Sequence, residues 1–566
     1  MRLIFAKTIH TLAAGTGDAL ALEGERVVAV GARNELAARF PGATRVDLGT
    51  RVVVPGFVDA HHHLSMRCAL ETGIDCRPAA AADIDSLLAR LAKAAAKLER
   101  GAWVVGWGYD ELELAERRHP TRWELDAACP EHPVLLFHYS CHELVASSRA
   151  LALAKIDDTS PEPPGGSHER DRRGRLTGRL VEAALCPVER LGVPDRLARS
   201  ADAVLARLDA AQEELFRVGV THVADPTVPS EMDALYRRAL AEGRLRVGVT
   251  AMPVSELGYL RPGWDVVERG PRTGEGGDRY RVGPLKLIFD GANRCAICAS
   301  SADIVRLSLS GLRGALRARR WDVLRTMADT GPRRMAGQWR TGFSFLEGRE
   351  ARELVARATD AGFSLAMHAI GNAATDEVLA AVMAARSRQR DVPAPRIEHA
   401  SFLRPDQPRR IADAGISVVV QPAFLRLPAM DLVRMPKTFA TMPLRALLDA
   451  GACVAGSSDA PVIDFDPLAA MQSAITRKTA SGDVLDPGQA IEPAEALAMY
   501  TREAARVCGE LESRGTLEPG KRADFVVLSA DPLRALGEAR VEATWVGGRV
   551  AWEGADGSDA AAAYSQ

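Results

Sequence analysis

Eight short apolar runs, spaced between Val52 and Pro461, restrict the fold of this chain more than any other feature. They read "VVVPGFVDA", "GVTHVAD", "LRVGVTAMP", "GPLKLIFDG", "FSLAMHAIG", "PRIEHASF", "ISVVVQPAF" and "CVAGSSDAP". Amphipathic patterns such as "EMDALYRRALAEG", "EARELVARATDAG" and "PLRALLDAG" fall between them. Apolar runs of this length, alternating with helix-period segments, predict parallel strands covered by helices. Eight such units predict closure into a (β/α)8 TIM barrel.

The ends of the chain have a different texture. "LIFAKTIHTL", "DALALEGERVVAVG" and "TRVDLGTRVVV" at one end, and "RADFVVLSADP" and "VEATWVGGRVAWEG" at the other, read as antiparallel strands with Gly turns. They predict a small composite β-sandwich domain built from residues 1–54 and 514–556. The barrel then takes 55–65 and 206–513. Residues 66–205 are far too many for a βα loop and carry their own strand and helix patterns, so an inserted α/β subdomain is expected. The arginine-rich stretch 293–345 follows the fourth run, where it is either a lid on the catalytic face or a solvated helical excursion. The tail "ADGSDAAAAYSQ" lacks periodicity and is expected to fray.

Composition narrows the function. A net charge of −2 gives no reason to expect nucleic acid or an anionic membrane as partner. No apolar run reaches the ~18 residues of a membrane span, and the N-terminus reads as strand rather than signal peptide. Nine cysteines, an odd number without a paired framework, fit a reducing cytoplasm. The one CxxC, Cys295 and Cys298, lacks the second pair of a structural zinc site and reads as packing or loop. A small-molecule substrate is the expected partner, with self-association left open.

Barrel chemistry gathers at the C-terminal ends of strands. There the eight runs carry His61, His63, Lys286, His368, His399 and Asp459. Residues two apart on a strand face the same way, so His61 and His63 can converge on one ion while His62 points outward. A lone histidine is more often a hydrogen-bonded core residue than a ligand, and His138 and His222 are read that way. Four histidines and an aspartate at strand ends of one barrel are a ligand set for zinc or a similar divalent ion. Asp59 is expected to brace the strand or a neighbouring ligand. Lysine is scarce, with eight in the chain, and Lys286 is the only one between Lys155 and Lys437. A buried amine at that position either pairs with Asp290 or takes up carbon dioxide to become an anionic ligand between two cations.

Together "PGFVDAHHHL", "KLIFDG", "MHAIGNAATD", "RIEHASFLRPDQ", "GSSDAPV" and "GTLEPGKRADFVVL" resemble the amidohydrolase superfamily, in its YtcJ-like (amidohydrolase-3) branch, which includes N-substituted formamide deformylases. The resemblance runs from about Val52 to Leu528 and implies a metal-dependent hydrolase of amide-type C–N bonds, with one or two metals per chain. It implies that His61 and His63 bind the more buried metal, that His368 and His399 bind the other, and that Asp459 is both ligand and base. Lys286 matches the lysine that is N6-carboxylated in binuclear members. His142 is expected near the substrate as an oxyanion donor, although "HYSCHELVASSRAL" departs from the usual "DGH…NSRAL". Trp107, Asp290 and Gln421 complete the candidate substrate contacts. Deamination or cyclic-amide opening on the same scaffold is the alternative chemistry, and a metal-binding regulatory protein without turnover is the alternative class.

Overall fold

The computed structural model of the chain describes all residues except 14, 164, 255–265, 293, 319–331, 336, 389–392, 433 and 555–566. The tail expected to fray therefore lies outside the described residues, as do 293, 319–331 and 336 of the arginine-rich stretch.

The eight apolar runs form the barrel strands β1 (Phe57–Asp59), β2 (Val220–Val228), β3 (Gly248–Pro253), β4 (Leu285–Ile288), β5 (Leu365–Ala369), β6 (Arg396–His399), β7 (Ser417–Val420) and β8 (Val454–Gly456). Strands β1 to β3 pair in parallel, and so do β4 to β8, each set in sequence order. A parallel bridge between Val254 and Lys286 joins the two arcs on one side. On the other, Ala60 N–H donates to the Gly456 carbonyl at 3.3 Å. One additional short strand, Tyr280–Val282, runs parallel beside β3. The covering helices bury a single stripe. In Gly348–Asp360 the buried Ala351, Leu354, Val355 and Ala358 recur at helical spacing, while the glutamates and arginines between them face water.

The first run does not form one strand. It breaks at Gly56 into Val52–Pro55, which belongs to the terminal sheet, and β1, which belongs to the barrel. Gly56 permits the crossing, because a Cβ there would fall 2.3 Å from Thr221 Oγ1. Val52–Pro55 lies between Arg2–His10, which it pairs in parallel, and Phe525–Leu528, which it pairs antiparallel. Both ends of the chain thus share one eight-stranded sheet. Its core brings Ile4, Leu20 and Leu22 from the N-terminal strands against Phe525, Val527 and Trp545 from the C-terminal ones.

Between β1 and β2 the chain builds a separate six-stranded mixed sheet, in the order Gly166–Arg170, Leu176–Glu182, Glu143–Ala146, Val134–His138, Val104–Tyr109, Ile74–Asp75. Helix Ile84–Ala95 covers it, started by an Asp83–Ser86 capping box. A long helix, Cys186–Arg217, kinked at Ser200, returns the chain to β2. After β4, strand Ile297–Ala299 and helix Ser301–Ala318 pack beside Phe402, Met435 and Phe439. Among the described residues no helix is long and apolar enough to cross a membrane, and all nine cysteines are free.

Candidate metal centre

The C-terminal ends of β5 and β6 and the loops leaving β1 and β8 bring His368, His399, His61, His63 and Asp459 to one end of the barrel. Asp459 is central. Its Oδ1 lies 3.2 Å from His61 Nε2 and 3.1 Å from His63 Nε2. Donor atoms of His61, His399 and Asp459 all lie within 4.8 Å of one another. The His368 and His399 ring centroids are 4.4 Å apart, and those of His61 and His399 5.0 Å. Two of these residues are held in the left-handed region that non-glycine residues avoid, His399 at φ 80° and Asp459 at φ 61°. Strain of this kind costs on the order of 1–3 kcal/mol per residue and persists where the surroundings dictate the geometry.

His61 and His63 do face one centre, but not through strand alternation. β1 ends at Asp59, and the triplet lies in the turn that enters helix Leu64–Glu71. Backbone bonds set the turn. His63 N–H donates to Ala460 O at 2.9 Å and Asp459 N–H to His61 O at 2.7 Å, locking the β1 and β8 loops together. Asp59 Oδ2 accepts from Ser458 Oγ at 2.6 Å and lies 3.2 Å from His62 Nδ1. His62 is fully buried there, edge-on to Phe465, turned away from the centre.

The His61 and His399 rings are each oriented by a partner on the far side, which fixes the tautomer. His61 Nδ1 lies 2.5 Å from Glu398 Oε2, and the other Glu398 oxygen accepts from Arg396 Nε at 2.6 Å. Arg396 also donates to the Ala60 carbonyl at 2.9 Å. His399 donates from Nδ1 to Gln421 Oε1 at 2.8 Å, while Gln421 Nε2 donates to Ser457 Oγ at 2.9 Å. Gln421, expected at the substrate, is buried behind His399 and does not line the cavity.

Charge in the cluster follows from burial and these partners. Burial lowers His63 to about 4 and His399 to about 3, so both are free bases at neutral pH. Burial also lowers Lys286 to about 8. Asp459 is held far below the carboxylate range, the neighbouring histidines outweighing its burial. The donor set fits a divalent cation. It pairs a carboxylate with neutral imidazoles, and Lys286 Nζ and His368 Nε2 are buried without a hydrogen-bond partner.

Two other expected contacts fall outside the cavity wall. Asp290 is fully buried, accepting backbone N–H bonds from Ala296 and Ile370 at 3.0 Å and from Gly371 at 2.9 Å. It lies 3.6 Å from His368 Nε2, and burial raises it to about 7. Its carboxylate ties the β4 and β5 loops together. Trp107 is in the core of the inserted sheet against Leu135 and Phe137, with Arg77 4.8 Å above its ring. Aromatic spacing in "WVVGWGYDE" is thus a packing signal.

His142 lies on the cavity wall with His61, His368 and Asp459. Its Nδ1 lies 2.9 Å from Oε2 of Glu182, for which the sequence carries no local signal. Burial alone would lower the His142 pKa, but the Glu182 carboxylate outweighs it and raises the ring above the ordinary imidazole range. Glu182 Oε1 accepts from Ala292 N at 3.1 Å. A Cβ on Gly291 would fall 2.8 Å from that oxygen, so the close approach requires glycine. The cavity, about 360 Å³, is otherwise walled mainly by apolar groups, among them Phe137, Ile288, Ile370, Phe402, Phe424 and Met430.

Residues 44–551 match the model of the amidohydrolase family, and residues 19–43 match the imidazolonepropionase-like composite domain of bacteria. The chain is 32% identical over 554 residues to an N-substituted formamide deformylase from Arthrobacter pascens, covering 95% of each chain. It is 26% identical to the putative amidohydrolase YtcJ of Bacillus subtilis, covering 91% of each. Its fold matches that of an uncharacterized metal-dependent hydrolase from Pyrococcus furiosus with a TM-score of 0.67 at 26% identity, covering 94% of this chain and 100% of that one. A barrel with a composite terminal sheet, a histidine–aspartate cluster suited to a divalent cation and a family match over most of its length agree. The chain belongs to the amidohydrolase family and is a metal-dependent hydrolase acting on carbon–nitrogen bonds.

Proposed function

We propose that the substrate is an N-substituted formamide, or a similarly small acyl amide, whose N-substituent is apolar. The observation that carries this reading is the contrast between one polar end of the cavity and its apolar remainder. Burying an apolar substituent there contributes roughly 25 cal/mol per Å² removed from water. The small acyl group is drawn from the Arthrobacter pascens relative named above.

His61, His63, His368, His399 and Asp459 would hold the metal, with Lys286 as a shared ligand if its amine is carboxylated; zinc suits this nitrogen-rich donor set. When bound, the cation makes a water molecule acidic near neutral pH and polarises the amide carbonyl. Asp459 accepts the proton of the attacking water and returns it to the departing nitrogen. His142, whose protonated form the Glu182 carboxylate favours, donates to the carbonyl oxygen as charge develops on it.

The test is a panel of N-alkyl and N-aryl formamides, acetamides, lactams and aminated heterocycles on zinc-loaded protein, following formate, amine and ammonia. Formate release that rises with the apolar size of the N-substituent is expected. Ammonia from the heterocycles, with no formate from any formamide, would instead favour deamination.

A further inference from the structure

A second cluster of ligand-type side chains lies in the inserted subdomain, apart from the barrel centre. Strands Val104–Tyr109 and Val134–His138 are parallel neighbours in its sheet, and Tyr109 pairs with His138 at their ends. The turn after the first strand carries Asp110 and Glu111, and the loop beyond it carries His119. Both imidazoles turn Nε2 toward the same carboxylate. His138 Nε2 lies 2.8 Å from Glu111 Oε2, and His119 Nε2 lies 3.8 Å from Glu111 Oε1. Donor atoms of Asp110, Glu111 and His138 all lie within 4.8 Å of one another.

The far side of each ring is occupied. Tyr109 Oη lies 3.0 Å from His119 Nδ1, and Ser140 Oγ lies 2.8 Å from His138 Nδ1. Ser140 N–H donates to His138 Nδ1 at 3.3 Å, so a cation between His138 Nε2 and Glu111 would replace the proton they share. Burial, reinforced by the charge of Arg179, lowers His119 to about 4, so that ring is a free base at neutral pH. The nearby cation Arg179 is itself paired with Glu143 at 2.7 Å and with Glu169 at 3.5 Å. Side chains of His119 and Glu111 retain 15% and 20% exposure, which leaves an entry path for an ion.

We propose that Glu111, His119 and His138, with Asp110 as a fourth donor, form a second cation site of the zinc class in the inserted subdomain. Two imidazole nitrogens and carboxylate oxygens select borderline ions such as zinc over calcium or magnesium, which prefer oxygen alone. The site has a structural consequence for the barrel. Ser140 Oγ, bonded to His138, also accepts from His142 N at 3.3 Å, and Ser140 and His142 both line the substrate cavity. A cation held by His138 therefore anchors the loop that presents His142.

The test counts zinc on the full-length protein after dialysis against a fixed micromolar concentration of free zinc. Wild type is compared with Glu111→Gln, which preserves shape, and with His119→Gln, which alters a partly exposed side chain. Each variant is expected to hold one equivalent less than wild type. His399→Gln, compared in parallel, is expected to lose zinc from the barrel while keeping the equivalent in the inserted subdomain. Equal zinc in wild type, Glu111→Gln and His119→Gln would overturn the proposal and leave the cluster a hydrogen-bonded network.

Discussion

Replacing Glu182 with Gln removes the charge behind His142 with little change in shape. The carboxylate lies 2.9 Å from His142 Nδ1, and it is what raises that ring above its ordinary range. A hydrogen bond to a charged group of this kind is worth about 1.5–3 kcal/mol, a factor of about 10–100 in an equilibrium constant. If protonated His142 supports turnover, activity is present below its pKa and lost as pH rises through it. In Glu182→Gln that alkaline limb should move to lower pH, so that above the limb kcat/KM falls about 10–100-fold while the acid side changes little. The assay is a pH profile of kcat/KM on the best formamide, with thermal melting to confirm that the variant is folded. A variant of reduced activity whose alkaline limb stays where wild type has it would refute the reasoning, because a merely structural Glu182 would lower the whole curve without moving it.

Three further outcomes follow from the same geometry. Glu398→Gln removes the carboxylate that orients His61 and should weaken metal binding about 10–100-fold, read by competition with a chromophoric chelator; unchanged affinity would contradict the positioning role. Stripping the metal with a chelator should abolish turnover and lower Tm, and restoring zinc should recover both, since an ion at 100 times its Kd stabilises the folded state by about 2.7 kcal/mol. Trp107→Phe should leave kcat/KM within about twofold and cost less than ~1.5 kcal/mol, because Trp107 is packed in the inserted sheet and its buried Nε1 has no partner to lose. A large loss of kcat/KM in that variant would return Trp107 to the substrate site.

The parts of this molecule legible in its sequence were those set by local pattern. Each barrel strand is a compact apolar run, and His61, His368, His399 and Asp459 close or follow such runs, so topology alone gathers them. Gln421 and Asp290 sit at equivalent positions yet are buried off the cavity wall, for a physical reason. A polar residue after a strand can face the cavity, or can turn beneath the ligands and satisfy buried donors, and only the neighbouring loops decide which. Glu182 and Glu398 could not be identified at all. Their partners His142 and His61 lie 40 and 337 residues away along the chain, and nothing in a local pattern reports that contact. The cavity wall is illegible for the same reason, being assembled from the inserted sheet, the helix Cys186–Arg217 and the loops after β4 to β7.

The central assignment, proton transfer by Asp459 within the histidine cluster, is tested most directly by kcat on Asp459→Asn protein loaded with metal to the wild-type level. Loss of general acid–base transfer predicts a fall of about 10²–10⁴-fold with formamide binding largely kept. An Asp459→Asn protein that holds its metal and turns over within a few-fold of wild type would contradict it.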